Sequence, residues 1–177
     1  SSYRREYQLK NKRTDLNYKL IRGNVDTRIK KMENGDYDAI ILSKAGVDCL
    51  EINSKITEEF TTDDLTPCAG QGIIAIQCRN SDPEIKELLE KINNPQARIC
   101  ANTEREVLKI LEGDCDTAIG AFSKINGNNI SLSAELFSVD GKQRYFIKET
   151  KEIKLAKELG REVGEKLKSQ SKGSYKR

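Results

Sequence analysis

The chain has 177 residues, of which 36% are hydrophobic and 33% charged, a composition that suits one ordinary domain or two small ones. No apolar run approaches the roughly 18 residues that a membrane-spanning helix needs, and the polar residues 1–10 do not resemble a secretory signal. The 31 basic and 28 acidic residues leave a net charge of +3, which is too balanced to indicate nucleic-acid binding by bulk charge. The absence of histidine argues against Ser-His and Cys-His catalysis.

The first 65 residues predict a βαβ unit, which is a strand, a helix and a second strand. Residues 19–21 favour a short strand, and an apolar spacing of four and three residues predicts a helix over 25–34. The run YDAIIL at residues 37–42 has the length and β-branching of a buried strand. Because ligands of such units bind beyond the carboxyl ends of the strands, the stretch that follows is a candidate site.

The rest of the chain predicts a linking segment over residues 66–83 and an α+β domain over residues 84–177. The linking segment contains a turn-rich loop and an apolar run at residues 73–78 that is typical of a strand. Periodic apolar residues then predict three helices and an antiparallel meander of three strands. The helices are expected from residue 83 and over 95–111 and 152–168, and the strands over 118–125, 130–139 and 143–149. Residues 169–177 are polar and basic and are expected to be disordered.

Basic residues crowd the start of the chain. They are Arg4, Arg5, Lys10, Lys12, Arg13, Lys19, Arg22, Arg28, Lys30 and Lys31. This cluster indicates either a surface that faces an anion or a solvated helix face with a basic bias. Arg22 and Arg28 flank Gly23 and the first turn of a predicted helix, where backbone amides favour anions and arginine can grip a carboxylate with two N–H groups. The residues alone leave open whether this is a carboxylate site or an ordinary loop with surface arginines.

The cysteines are odd in number and lack CxxC spacing, which argues against a zinc site and a disulfide framework and favours a reducing cytoplasm. They are Cys49, Cys68, Cys78, Cys100 and Cys115. Cys78 and Cys100 lie in apolar patterns and are expected in the core, while Cys68 lies in a loop. Cys115 follows Gly113 between a predicted helix and a predicted strand, which indicates an accessible thiol. Its acidic neighbours disfavour the thiolate, so the residues alone leave its role open.

Five short motifs occur in order along nearly the whole chain. They are SSYRR at residues 1–5, RGNVDTR at 22–28, NGDYDA at 34–39 with AG at 45–46, GQG at 70–72, and LEGDCDTAIG at 111–120. They resemble the SSxRR, RGNxxTR, NGEYDA with AG, GQG and LEGGCxxPIG elements of the porphobilinogen deaminase (hydroxymethylbilane synthase) family. The chain is identified as a member of this family by the order and spacing of these motifs.

The resemblance implies a transferase of tetrapyrrole (haem) biosynthesis. In this reading Cys115 carries a covalent dipyrromethane cofactor through a thioether, which needs exposure but no depressed pKa. Four porphobilinogen molecules are joined to the cofactor head to tail with loss of ammonia, and hydrolysis then releases hydroxymethylbilane.

The resemblance also assigns the site residues and includes no metal. Arg4, Arg5, Arg22 and Arg28 match family arginines that bind the acetate and propionate carboxylates of the pyrroles. Ser2, with the backbone around Ser43 and Gly46, is expected to help hold the cofactor.

The family fold implies an α/β, multi-domain protein. Residues 1–65 would be part of a second, periplasmic-binding-protein-like βαβ domain, residues 66–83 would return to the first domain, and residues 84–177 would form a third, α+β domain with a three-stranded antiparallel sheet. Most of the first domain and its catalytic aspartate find no match here, so the chain alone is expected to be inactive.

The expected partners are porphobilinogen, polypyrrole intermediates and the missing N-terminal domain, with no nucleic acid or membrane. The full-length protein is expected to be a cytoplasmic monomer. Three positions depart from the family pattern: Cys49 stands where many relatives have arginine, Asp114 replaces a glycine and Ala118 replaces a proline. The rival hypothesis is a non-catalytic anion-binding module, which would leave Cys115 unmodified.

Overall fold

The computed structural model describes residues 2–113 and 116–176, and within them it forms six α-helices and three β-strands. In chain order they are α1 (Tyr3–Lys12), α2 (Val25–Glu33), α3 (Lys44–Cys49), α4 (Pro83–Ile92), α5 (Pro95–Leu111), β1 (Ile119–Asn126), β2 (Asn129–Phe137), β3 (Arg144–Glu152) and α6 (Ala156–Ser171). No helix in these ranges is both long and apolar enough to cross a membrane.

The main core lies between a three-stranded antiparallel sheet and two helices. The strands follow the order β1-β2-β3, with Ala134 of β2 opposite Ala121 of β1 and Ile147 of β3. Side chains of successive strand residues point to opposite faces, so alternate residues of β2 line one face of the sheet, where α5 and α6 pack. The core consists of Val107, Leu111, Ile119, Ala121, Ile130, Leu132, Ala134, Leu136, Ile147, Ala156, Leu159, Val163, Leu167 and Tyr175. The predicted α+β arrangement with a three-stranded antiparallel sheet is confirmed.

Local signals explain where α5 begins and ends. The side chain of Asn94 accepts hydrogen bonds from the amides of Gln96 and Ala97, and Pro95 occupies the first turn, where its missing N–H is not needed. The helix ends at Leu111, and its C-cap residue Glu112 adopts a left-handed conformation with φ of 53°. These bounds confirm the predicted helix over 95–111 and place its last residue four positions before Cys115 in the sequence.

The close approach of α5 and α6 depends on two glycines of α6. A Cβ atom at Gly160 would overlap the backbone carbonyl oxygen of Thr103, and one at Gly164 would lie 2.8 Å from Cβ of Ile110. A backbone carbonyl in a helix cannot move aside as a flexible side chain can. The two helices therefore pack at a distance that only glycine allows at position 160.

Replacing Gly160 with alanine is expected to lower the free energy of unfolding by about 1–3 kcal/mol through overpacking. The loss is expected although alanine is the better helix former by about 1 kcal/mol. Urea denaturation followed by circular dichroism measures the change. Lys157→Ala, on the exposed face of the same helix, is the matched control and should leave stability nearly unchanged. A Gly160→Ala variant as stable as the control would contradict the packing argument.

Helix α1 joins this core at the end of β2. The ring of Tyr7 lies with its centroid 5.9 Å from that of Phe137, and its hydroxyl donates a hydrogen bond to the carbonyl oxygen of Val139 at 2.8 Å. Ser2 caps the helix by accepting from the amide of Arg5 at 3.4 Å. The first turn of α1 is thereby held against the sheet.

The predicted βαβ unit is the main difference between sequence and structure. Helix α2 forms over Val25–Glu33, close to the predicted range, but no strand forms at residues 19–21 or 37–42, nor at residues 73–78. The strand predictions were wrong because a strand needs a neighbour that pairs with its backbone groups, and no other described segment pairs with these three. The periodicity of α2, by contrast, depends only on local sequence.

The end of the chain also differs from the prediction of disorder. Helix α6 continues to Ser171, and Tyr175 is 4% exposed and belongs to the main core. The prediction was wrong because it rested on the polar composition of residues 169–177, whereas the buried side chain of Tyr175 packs in the core and hydrogen bonds of Ser174 and Tyr175 hold the segment in place.

Candidate functional site

Arg4 is buried and holds a loop that precedes α4. Its side chain is 7% exposed, and its Nη1 donates to the carbonyl oxygen of Thr66 at 2.6 Å. Its Nη2 donates to Oε1 of Gln71 at 3.3 Å, and Nε2 of Gln8 donates to the same Thr66 oxygen at 2.9 Å. These bonds anchor the loop over residues 66–72, which contains the GQG motif, to the buried side of α1.

Arg5 and its neighbours connect α1 to the stretch before α3. Nη1 of Arg5 donates to the carbonyl oxygen of Ile41 at 3.3 Å, and Arg5 itself is half-buried. Ser43 is the N-cap residue of α3, although its side chain makes no capping hydrogen bond. A Cβ atom at Gly46 would lie 3.3 Å from Oγ of Ser43 and 3.6 Å from Cγ2 of Val25, so Gly46 lies where α3 comes close to the first residue of α2. Ser43 and Gly46 thus lie close to the residues that Arg5 contacts.

The RGNVDTR motif forms a tight turn that leads into α2. Gly23 has φ of +117°, a conformation that favours glycine, and a Cβ atom there would lie 2.8 Å from the side chain of Thr27. Asn24 caps the helix by accepting from the amide of Thr27 at 2.9 Å. Nε of Arg28 donates to the carbonyl oxygen of Gly23 at 2.7 Å, and this bond uses only one of its nitrogens. The two Nη groups of Arg28 make no hydrogen bond to the described residues.

The arginines form a positive cluster that makes no ion pair with a described carboxylate. Burial is the main cause that lowers the pKa of both Arg4 and Arg5. Repulsion from Arg5 lowers the pKa of Arg4 further, and repulsion from Arg28 lowers that of Arg5. Cys68 acts on both arginines in the opposite direction, as does Glu135 on Arg4. Within residues 2–113 and 116–176, no carboxylate forms an ion pair with any of the four predicted arginines, whereas Arg13 pairs with Asp15 at 2.7 Å. Partly buried cations without a counter-charge are costly unless an anion neutralises them. The arrangement is therefore suited to binding anions.

The structure places some of the predicted site residues close together, and it leaves others apart or outside the described residues. It brings Arg4, Arg5 and Arg28 into one electrostatic cluster, with Ser2 at the start of α1 as its N-cap. Arg22 is exposed at the start of the same turn as Arg28, and its side chain has no hydrogen bond among those described. Cys115, with Asp114, lies outside the described residues. Among the residues that are described, no group of three or more His, Cys, Asp or Glu side chains could hold a metal ion.

The two ends of the loop that contains Cys115 approach each other. Gly113 follows the end of α5, and a Cβ atom there would overlap Cδ1 of Ile119, the first residue of β1. Ile119 is itself fixed because it pairs with Leu136 in the sheet. The loop therefore begins and ends at neighbouring points of the main core, and Cys115 lies two residues after Gly113 in the sequence.

Sequence analysis missed Glu104, which connects α5 to the GQG loop. Glu104 is 3% exposed, and its Oε2 accepts from the amide of Gly70 at 2.7 Å. Its Oε1 accepts from the amide of Ser123 at 2.7 Å and from the hydroxyl of Ser123 at 2.9 Å. A sequence signal exists, because Glu104 lies four residues after Cys100 and three before Val107, in the apolar stripe of α5. A charged residue on such a stripe requires buried donors.

Replacing Glu104 with glutamine is expected to lower the free energy of unfolding by about 1–3 kcal/mol, because an amide group would set a donor against one of the buried N–H groups. Urea denaturation measures the loss. Glu106→Gln is the matched control, since Glu106 lies on the same helix and forms a long ion pair with Lys109, at 3.9 Å. Equal stability of the two variants would contradict the role of Glu104 as a buried acceptor.

The fold is that of a mixed α/β protein, and the charge of its arginine cluster is suited to binding anions. Two family models match it: residues 1–87 match "Porphobilinogen deaminase, dipyromethane cofactor binding domain", and residues 98–169 match "Porphobilinogen deaminase, C-terminal domain". The chain belongs to the porphobilinogen deaminase family, as the sequence motifs predicted.

Individual relatives agree with the family models. The chain is 42% identical to a probable porphobilinogen deaminase of Nitrosopumilus maritimus, over 94% of this chain and 53% of the relative. It is 39% identical to a porphobilinogen deaminase of Fusobacterium nucleatum over 96% of this chain and 56% of the relative. It is 40% identical to a porphobilinogen deaminase of Staphylococcus carnosus over 96% of this chain and 55% of the relative. The chain spans about half the length of the curated relatives it matches.

Proposed function

We propose that this chain is part of an enzyme that condenses four porphobilinogen molecules head to tail, with loss of ammonia, and releases hydroxymethylbilane for tetrapyrrole (haem) synthesis. The observation that carries the proposal is the cluster of Arg4, Arg5 and Arg28, which forms no ion pair with a carboxylate among the described residues. Each pyrrole of this chemistry bears an acetate and a propionate, so substrate and growing product are polyanions. A site for them needs cations that are not already paired.

The three arginines are suited to different tasks. Both Nη groups of Arg4 donate to protein oxygens, so Arg4 contributes its charge and holds the GQG loop in place. Arg5 donates one N–H to Ile41, and Arg28 donates only its Nε to Gly23. Their remaining N–H groups can bind carboxylates, in pairs where the geometry allows. Arg22 is exposed and begins the turn that leads to Arg28, so it adds a further cation to this segment.

A dipyrromethane fits this donor set because its own acetates and propionates need the same cations. We propose that it is linked to Cys115 through a thioether, with Ser2 and the backbone around Ser43 and Gly46 helping to hold it. When bound, the cofactor supplies the free pyrrole carbon to which the first substrate is joined. The protein residues bind and orient the carboxylates, and the short distance between the two ends of the Cys115 loop restricts where the cofactor is presented.

We further propose the domain organisation of the family. Residues 1–65 would belong to a periplasmic-binding-protein-like second domain, residues 66–83 to a segment that returns to the first, and residues 84–177 to the third. Apolar side chains in and after the returning segment support this, because they are large and exposed. They are Ile73, Ile74, Ile76, Ile85, Leu88 and Ile92, with Ile74 at 89% exposure. Such a surface suits packing against a further domain.

That further domain would carry the catalytic aspartate, so the 177-residue chain alone is expected to be inactive. The natural-length protein would be a cytoplasmic monomer. Cys49, Cys68, Cys78 and Cys100 are free thiols, which suits a reducing compartment.

Incubation of the natural-length protein with porphobilinogen tests the proposal. We expect four ammonia molecules to be released for each hydroxymethylbilane that forms. The hydroxymethylbilane is measured by absorbance after its conversion to porphyrin by oxidation. Binding of porphobilinogen without release of ammonia would contradict the enzyme and favour the rival anion-binding module. The 177-residue chain alone serves as the control and should release no ammonia.

A further inference from the structure

The last residues of the chain bind the end of α5. Residues 172–176, which we name the C-terminal clasp, follow α6 and turn back toward the core. Tyr175 is 4% exposed, and its hydroxyl donates to the carbonyl oxygen of Leu111 at 3.1 Å. Leu111 is the last residue of α5 and lies four positions before Cys115. The clasp therefore contacts the helix at the point where the Cys115 loop begins.

The last two carbonyl groups of α5 accept hydrogen bonds from the C-terminal part of the chain. The last four carbonyl groups of a helix have no partner within it. Here the carbonyl of Leu108 accepts from the amides of Glu112 and Gly113, that of Ile110 from Nζ of Lys168, and that of Leu111 from Tyr175. Two of these carbonyls thus depend on side chains that lie more than fifty residues later in the sequence.

The clasp is also attached on its other sides. The carbonyl oxygen of Ser174 accepts from the amide of Val139 at 2.9 Å, and its hydroxyl lies 3.1 Å from that of Tyr145. Nζ of Lys176 lies 2.6 Å from Oε2 of Glu112, and this bond, with the charge of Lys168, lowers the pKa of Glu112. The clasp therefore connects the sheet to the end of α5, and its position does not depend on one contact alone.

We propose that Tyr175 is a positioning residue, and that the C-terminal clasp fixes the end of α5 and so sets how the loop presents the cofactor on Cys115. The inference rests on the proposed function. One end of the loop is fixed by the pairing of Ile119 in the sheet, whereas the other end follows a helix terminus. Helix termini fray readily unless their orphan groups are satisfied. The clasp satisfies the carbonyl of Leu111 and so restrains the end of the loop that follows α5, which pairing in the sheet does not hold.

The test compares Tyr175→Phe with wild type in the natural-length protein. The change removes one hydroxyl and keeps the buried ring. We expect amide hydrogen exchange over residues 110–118 to become about two- to tenfold faster, as the loss of one net hydrogen bond implies. Exchange over residues 99–107 should stay unchanged. The fraction of chains that carry a dipyrromethane on Cys115, measured by intact mass after incubation of the apo-protein with porphobilinogen, should fall to below about half.

Tyr18→Phe is the matched control, because the hydroxyl of Tyr18 donates to the backbone carbonyl of Arg13 at 2.9 Å, far from α5 in the sequence. It should change neither readout. Lys176→Met, at the protein surface, removes the contact of the clasp with Glu112 and should give a smaller change in the same direction. It serves as the second variant if Tyr175→Phe folds poorly.

Unchanged exchange over residues 110–118, or faster exchange with full loading, would overturn the proposal, because the clasp would then be only structural. Failure of wild type to load would instead contradict the proposed function. The exchange measurement would still decide whether the clasp restrains the loop.

Discussion

Replacing Cys115 with alanine is expected to abolish hydroxymethylbilane formation by the natural-length protein. The cofactor would lose its point of covalent attachment, and the loss of a covalent site is not compensated by neighbouring groups. Acidic residues adjoin Cys115 in the sequence, and no histidine exists anywhere in the chain to activate the thiol as a conventional nucleophile. Its role as an attachment point does not need such activation. Porphyrin absorbance after acid oxidation measures the product.

Cys49→Ala is the matched control for this variant. Cys49 is an exposed free thiol at the end of α3. Its replacement removes the same chemical group, a thiol, at a position to which no cofactor attachment is assigned. Activity close to that of wild type is expected. A Cys115→Ala variant that still makes hydroxymethylbilane, with its circular dichroism spectrum unchanged, would refute the attachment site.

The second large effect is expected from Arg5→Met, which keeps much of the side-chain volume and removes the charge. We expect kcat/KM for porphobilinogen to fall about 10- to 100-fold, since a hydrogen bond to a charged group contributes about 1.5–3 kcal/mol. Arg5 has N–H groups to spare after its bond to Ile41, whereas both Nη groups of Arg4 already bind the protein. The loss should therefore appear in binding and turnover more than in stability.

Two further variants isolate the role of charge and geometry at Arg5. Arg5→Lys keeps the charge but not the planar fork, so an intermediate loss is expected. Arg13→Met removes an exposed arginine at the end of the same helix that already pairs with Asp15, and it should leave kcat/KM unchanged. Equal kinetics for Arg5→Met and Arg13→Met would rule out a carboxylate site at Arg5.

Elements with strong local signals could be predicted from the sequence. Helix α5 has an Asn94 cap, Pro95 in its first turn and a regular apolar stripe, and its predicted bounds agree with the structure. The three strands of the meander are consecutive and are joined by short turns, so their pairing is local as well. The runs at residues 37–42 and 73–78 have strand-like composition, but a strand also requires a partner, and composition cannot supply one.

The candidate site divides in the same way. The family resemblance predicted the RGNVDTR motif, which the structure shows as a tight turn leading into α2. It also predicted the role of Cys115, which lies outside the described residues and stays a prediction. The buried contacts that hold the site could not be predicted, because they join distant parts of the chain. Arg4 contacts Thr66, Glu104 contacts Gly70, and Tyr175 contacts Leu111. The polar composition around Tyr175 even favoured disorder, although the buried ring of Tyr175 and the contacts of its neighbours Ser174 and Lys176 hold that segment in place.

The intact mass of the denatured natural-length protein, followed by peptide mapping, tests the central claim most directly. The account predicts an added mass equal to that of a dipyrromethane, located on the peptide that contains Cys115 and absent from those that contain the other four cysteines. An unmodified Cys115 in protein purified at natural length would contradict it. The chain would then be an anion-binding member of its family without the condensation chemistry.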